Sequence, residues 1–354
     1  MGHWFGGVTN VAYSLPRALA KYARVTYYPT YYPPFVPRKS YAVNLLNVYK
    51  RLAIKDFEIM HFCHNPGWTN GRYILFKLAD INNISTILNI HGIIQIEHVL
   101  FDKPSRGLLG VSYKGLSSTL QHCKLADKIV TYSDFMRNEI ETWYGVNRAK
   151  TVVIPNGVNI EMFSKCNQEH SLDGDPAVLY IGNLGRFKSP EIIIHAIARI
   201  GTELPKLKLH LVGPGERSAR DLKSLAKKKG VETRVVFHGS IPWEKVPFYY
   251  KASDLCVFPS KRDNGTITLL EAMASGAPII ASNRGGTPEI ISHNKNGVLF
   301  DPDNPAELSN AILTMQKDPE LKKTITCNAM ETVKKYSWEN IAERYLALYR
   351  SLRD

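Results

Sequence analysis

Cysteine is scarce and unpaired in this sequence. The five cysteines, Cys63, Cys123, Cys166, Cys256 and Cys327, are odd in number, widely scattered and free of any C-x-x-C pair, which speaks against a disulfide framework and against a zinc site. A reducing cytoplasm fits this usage best. No stretch approaches the roughly 18 uninterrupted apolar residues that a membrane span requires, and no basic-then-apolar leader opens the chain, so neither a bilayer crossing nor secretion is expected. A dinucleotide fingerprint is missing as well: Gly182-x-x-Gly185 and Gly213-x-Gly215 have the wrong spacing for G-x-G-x-x-G. That disfavours a dinucleotide-dependent oxidoreductase. No internal repeat of fixed short period is present either.

What is present is enough chain for two cores. At 354 residues the sequence exceeds the size at which one hydrophobic core stops growing, and its composition, 44% hydrophobic and 22% charged, is that of a globular protein. Its formal net charge is +13. Residues 1–162 hold 18 basic and 10 acidic side chains, leaving 27 and 22 for residues 163–354. The excess leans toward the N-terminal half, as for an anionic partner such as a membrane surface or a phosphorylated acceptor. Charge alone also admits nucleic acid, but no nucleic-acid-binding module supports it.

From Asp56 onward, short β-branched or apolar runs alternate with longer amphipathic segments, the pattern of β-α units feeding a parallel sheet. Strands are expected at Ile59–Phe62, Thr86–Ile90, Lys128–Tyr132 and Thr151–Ile154, with a helix from Ser133, its capping residue, through Tyr144. Lys165–Pro176 is polar and reads as a linker. A second series follows, with strands at Ala177–Ile181, Lys208–Val212, Arg234–His238, Leu255–Pro259, Pro278–Ala281 and Gly297–Phe300, and a helix over Glu191–Ile200. The fold class expected is α/β, two Rossmann-like doubly wound domains facing each other across a cleft, where ligands of such sheets bind. The domains are expected at 1–162 and 163–330. Only Met1–Phe5 precede the Gly6-Gly7 turn, so the first strand reads as truncated and the native chain as starting upstream.

The most informative stretch runs from Phe258 to Gly276: a buried strand, a polar loop Lys261-Arg262-Asp263-Asn264-Gly265, and a helix from Thr268 ending on Gly276. A helix start facing a cleft presents free N–H groups and positive partial charge, which suits a phosphate. Asp263 and Glu271, eight positions apart, can both reach that cleft and accept hydrogen bonds from hydroxyls. Acidic residues near helix starts are common for capping reasons, so the pair alone decides nothing. The Lys227-Lys228-Lys229 run reads as a solvated helix end.

The stretch closely resembles the E-x7-E motif of glycosyltransferase family 4, retaining enzymes of GT-B fold, with Asp in the first acidic position. Other segments agree in order. Gly182-Asn183-Leu184-Gly185-Arg186-Phe187-Lys188 resembles the G-R-L-x-x-x-K segment, Leu88-Asn89-Ile90-His91-Gly92 the strand-end H-G segment, and Gly6-Gly7 the family's G-G loop. Leu125–Ser133, Val153–Asn159, Val212–Gly215 and Phe237–Pro242 resemble further family segments, and Tyr336–Glu339 resembles the start of the family's closing helix, which implies such a helix over 331–354.

The resemblance implies a nucleotide-diphosphate sugar as co-substrate, bound mainly by the C-terminal half, with no metal and no cofactor. On it, His91, Asp263, Arg186 and Lys188 carry catalysis: His91 and Asp263 meet the transferred sugar, while Lys188 and Arg186 neutralise the diphosphate. Arg186 would stand in for the cation that Asn183 replaces. Donor binding would add Gly6, Gly7, Gly213, the Ile241 backbone at the base, the amides of Ile267 and Thr268 at the diphosphate, and Glu271 at the ribose hydroxyls. The acceptor would be a sugar, a glycan or a lipid-linked molecule bound by the N-terminal half. There the Tyr- and Pro-rich loop Tyr27–Lys39 is suited to stacking on a sugar or to peripheral contact with the cytoplasmic membrane face. The nucleotide base stays open between UDP and GDP. A reading outside catalysis, a donor-binding accessory subunit without activity of its own, rests on Asn183 and Asp263.

Overall fold

The computed structural model describes residues 14–23, 58–62, 70–90, 119–165, 171–265 and 267–353, with the side chains of 70–74 left aside. Gly6, Gly7, His91, the Tyr27–Lys39 loop and the whole question of the first strand lie outside the described residues. By internal contacts the chain falls into two units. One comprises the described residues of 8–154 together with 341–353, and the other comprises residues 155–340.

In the N-terminal unit, strands β1 (Ile59–Phe62), β2 (Ser85–Asn89), β3 (Lys128–Thr131) and β4 (Thr151–Val153) pair in that order, all parallel. Helix α1 (Asn70–Ile81) connects β1 to β2, and α2 (Asp134–Tyr144) connects β3 to β4. Ser133 accepts the Met136 amide at 3.1 Å and Gly145 closes α2 in the left-handed region at φ 59°, so both ends of the helix are capped from the sequence itself. Phe76, Leu88, Ile90, Ile129, Met136 and Ile140 form the core here.

The C-terminal unit starts with a short helix, α3 (Ile160–Ser164), and contains a six-stranded parallel sheet. Its strands are β5 (Ala177–Ile181), β6 (Lys208–Val212), β7 (Val235–Gly239), β8 (Leu255–Phe258), β9 (Ile279–Ser282) and β10 (Val298–Phe300), in spatial order β10-β9-β8-β5-β6-β7. The chain therefore winds outward one way from β5 to β7, returns to the middle at β8, and winds the other way. Between β5 and β8 the order reverses, and the carboxyl ends of those two strands flank the topological switch point at which such sheets bind ligands.

Both faces of this sheet are covered, which is why β5, β8 and β9 are buried throughout rather than alternating. Val178 and Tyr180 pack with α4 (Glu191–Arg199), α5 (Glu216–Lys228) and Leu308 and Ile312 of α8 (Pro305–Lys317). Leu179 and Ile181 pack with Tyr250 of α6 (Val246–Ala252), Leu269 and Met273 of α7 (Ile267–Ala274), and Ala329 of α9 (Pro319–Val333). A last helix, α10 (Trp338–Arg350), starts in the C-terminal unit and belongs from Ile341 to the N-terminal one.

The strand ends differ from expectation by a residue at several places. Tyr132, Ile154 and Pro259 read as strand because they are apolar, but the paired segments stop at Thr131, Val153 and Phe258. Apolar runs report burial, whereas strand limits report pairing. Helix α7 similarly starts one residue earlier than expected and ends at Ala274, with Gly276 following in the left-handed region at φ 72°. Among the described residues, no helix is long and apolar enough to cross a membrane.

Candidate active site

The loops at the carboxyl ends of β5, β6, β7 and β8 converge through main-chain hydrogen bonds. Gly182 N donates to Val212 O at 2.9 Å, Gly213 N to Gly239 O at 2.8 Å, and Leu184 N to Pro214 O at 2.9 Å. Gly213 has no alternative: its φ is 141°, and a Cβ there would stand 1.8 Å from the Gly182 carbonyl oxygen. Its role in the structure is close backbone packing between the β5 and β6 loops.

After β5 the chain makes a tight turn. Asn183 Oδ1 accepts the Gly185 amide at 2.7 Å, and its carbonyl accepts the Tyr180 hydroxyl at 2.6 Å. The short turn Arg186–Lys188 follows. Arg186 is exposed and interacts electrostatically with Glu191, whereas the Lys188 ammonium pairs with the Asp263 carboxylate across the gap between the β5 and β8 loops. Asp263 is only 8% exposed. Its backbone is cradled by the loop after β9: Gly286 N donates to Asp263 O at 2.7 Å, and a Cβ on Gly285, at φ 64°, would meet that oxygen at 2.4 Å. Two residues predicted separately from the sequence, Lys188 and Asp263, are thus one ion pair at the switch point.

Helix α7 begins just beyond. Ile267 and Thr268 occupy its first turn, where backbone N–H groups have no partner within the helix. The Thr268 carbonyl accepts the Tyr250 hydroxyl at 3.0 Å. One turn inside, Glu271 is buried, 5% exposed, with Oε1 accepting from Trp243 Nε1 at 3.2 Å. Burial pushes its carboxyl up to about 7, and the Trp243 bond offsets this only in part. A buried carboxyl so held is poised to accept hydroxyl donors once ionised, and such shifts gather at functional sites. Ile241, 9% exposed, lies in the loop after β7, two residues before Trp243.

The structure therefore gathers Arg186, Lys188, Gly213, Ile241, Asp263, Ile267, Thr268 and Glu271 in loops following parallel strands and in the opening of α7, all in one unit. Sequence reasoning overlooked Trp243, which orients Glu271, and Gly285-Gly286, which seats Asp263. The glycine pair after an apolar run was a readable signal; the Trp243 contact was not, because it spans 28 positions. Among the described residues, no group of three or more His, Cys, Asp or Glu is placed to hold a metal ion.

Comparison with known proteins agrees with this geometry. The chain matches the glycosyl transferases group 1 model over residues 163–332 and the glycosyltransferase family 4 model over residues 7–162. The chain belongs to glycosyltransferase family 4. It is accordingly a retaining glycosyltransferase. It is 29% identical over 313 residues to an uncharacterised glycosyltransferase of Methanocaldococcus jannaschii, covering 84% of this chain and 76% of that protein. It is 26% identical over 242 residues to a D-inositol 3-phosphate glycosyltransferase of Corynebacterium urealyticum, covering 64% of this chain and 57% of that relative. Among solved structures, sucrose-phosphate synthase from Thermosynechococcus elongatus is similar with a TM-score of 0.75 at 24% identity, covering 99% of this chain and 95% of that one. Anabaena HepE in complex with UDP-glucose is similar with a TM-score of 0.71 at 20% identity, covering 89% and 84%. The family 4 enzyme thus has the GT-B fold, with two parallel sheets.

Proposed function

We propose that this family 4 enzyme moves a hexose-type sugar from a UDP-sugar, with retention and without a metal ion, to a glycan or lipid-linked acceptor. The observation that carries the reading is the Lys188–Asp263 pair at the switch point of the C-terminal sheet, with buried Glu271 one helical turn further along. The choice of UDP draws on the likeness to HepE, whose structure holds UDP-glucose.

In this reading the C-terminal unit is the donor side and the N-terminal unit, with its basic excess, the acceptor side at the cytoplasmic membrane face. Glu271 accepts the ribose hydroxyls and the Ile241 backbone meets the base. The opening amides of α7 with Lys188 and Arg186 face the diphosphate, the Gly6-Gly7 loop lies close to it, and the segment of Gly213 surrounds the base. Asp263 and His91 take hydroxyls of the transferred sugar. The C1–phosphate oxygen bond breaks while the acceptor oxygen bonds C1 from the same face, and the acceptor proton passes to the departing diphosphate. Charge gathering on that diphosphate is what fixed cations and helix dipoles stabilise. A second reading, a donor-binding subunit without its own activity, is favoured by Asn183, which stands at an expected cation position and is taken up in closing its own turn.

Calorimetric titration with UDP-glucose, UDP-N-acetylglucosamine, GDP-mannose and UDP, with EDTA present, tests the proposal. Binding of a uridine donor that survives EDTA is expected. Binding that requires added metal, or a preference for GDP-mannose, would overturn the corresponding part.

A further inference from the structure

The acidic loop that carries Asp263 is held at both ends, and the hold at its far end comes from a residue with no assigned role. Asn156 Nδ2 donates to the Gly265 carbonyl at 2.8 Å, joining positions 109 apart in sequence. Gly265, at φ 138°, stands two positions before Ile267, the first residue of α7. Asn156 is itself 6% exposed, and its Oδ1 is buried without a hydrogen-bond partner. A buried acceptor left unmet is unfavourable, so an apolar side chain would suit this position better if filling space were its whole task. The amide is explained by the bond that its other end makes.

The place of Asn156 in the chain gives that bond a consequence. The backbone leaves the N-terminal unit after Ile154 and returns to it after Asn340. Just inside the C-terminal unit these two stretches are fastened together: Val158 N donates to Tyr336 O at 2.9 Å, Val158 and Ser337 form a parallel bridge, and Gly157 lies under Trp338. That packing is close enough that a Cβ on Gly157 would fall 2.5 Å from Trp338 Cδ2. The residue beside this junction is the one that grips the acidic loop.

Resting on the donor-site reading above, we propose that Asn156 is a positioning residue for the donor: its side-chain amide sets the loop that aims Asp263 and the first amides of α7, and ties that loop to the two passages between units. The bases of Ile241 and Glu271 in the fold do not pass through this bond, since Glu271 is oriented by Trp243. Asn156 should therefore matter for the diphosphate and the sugar, and little for the nucleoside.

Calorimetry with UDP-glucose and with UMP, on wild type, Asn156→Ala, the isosteric Asn156→Asp and the amide-retaining Asn156→Gln, separates these effects, with melting temperature as the fold control. Loss of the donated bond is expected to weaken UDP-glucose about tenfold or more in the Ala and Asp variants and UMP less than about twofold, with part recovered in Gln. Unchanged UDP-glucose affinity in a folded Asp variant would overturn the proposal, as would equal losses for both ligands, which mark a general structural role. Absence of nucleotide binding by the wild type would overturn the donor-site reading itself, and the proposal with it.

Discussion

Glu271 shows how one residue can be read twice. Its side chain is 5% exposed in a helix whose neighbours Leu269, Leu270, Ala272 and Met273 are core, so the sequence pattern around it is that of a buried apolar helix with one acid inside. Burial raises its carboxyl to about 7 from 4.5. Between those values the folded chain keeps a proton that the unfolded chain has lost, so this group's contribution to stability falls as pH rises across that window. On the proposed function, ligand binding should run the opposite way, because ribose hydroxyls would donate to the ionised form. UDP-glucose, whose phosphates do not titrate in this range, is expected to bind more tightly from about pH 6 to about pH 8, and the slope should flatten in Glu271→Gln. Identical pH profiles for the two proteins would contradict the assignment. The acid was legible in the sequence through the resemblance of the Asp263–Glu271 stretch to the E-x7-E motif; its raised pKa was not, because it comes from burial in the folded unit.

At the scale of elements, α10 is held in the N-terminal unit by a buried polar network rather than by apolar packing alone. His61 of β1 donates from Nε2 to Asn89 Oδ1 at 2.8 Å and accepts the Tyr349 hydroxyl on Nδ1 at 2.7 Å; Asn89 Nδ2 donates to Tyr345 at 2.8 Å and to Tyr132 at 3.2 Å. This fixes the neutral tautomer of His61, and burial lowers its pKa to about 4. The folded state thus refuses a proton that the unfolded state takes below 6.5, so stability from this network is lost as pH falls from 6.5 toward about 4. Melting temperature should drop across that interval, and His61→Gln should shrink the drop; an unchanged pH dependence in the variant would show that another group is responsible. A helix near the C-terminus was readable from the resemblance of Tyr336–Glu339 to the start of the family's closing helix. Its partners were not, since His61 and Tyr349 stand 288 positions apart and no local pattern links them.

For the whole molecule, the alternation of apolar runs and amphipathic segments sufficed to give two parallel α/β sheets, and the order of short motifs sufficed to place Lys188 and Asp263 in loops of one sheet and Glu271 in the helix that follows. Strand limits slipped by a residue wherever an apolar residue such as Tyr132 or Ile154 continued a run past its last paired neighbour. The pairing of Lys188 with Asp263, the seat that Gly285 and Gly286 make for Asp263, and the grip of Asn156 on Gly265 are all long-range, and they emerge only once the switch point between β5 and β8 brings four loops together.

The central claim is that the donor sits on those loops with Glu271 at its ribose. Calorimetric titration of UDP-glucose into wild type and Glu271→Ala, each checked for an intact melting transition, tests it most directly. Loss of hydrogen bonds to a charged acceptor, on the order of 1.5–3 kcal/mol, predicts binding weakened by at least about tenfold in the variant. Equal affinity for the two folded proteins would contradict the account.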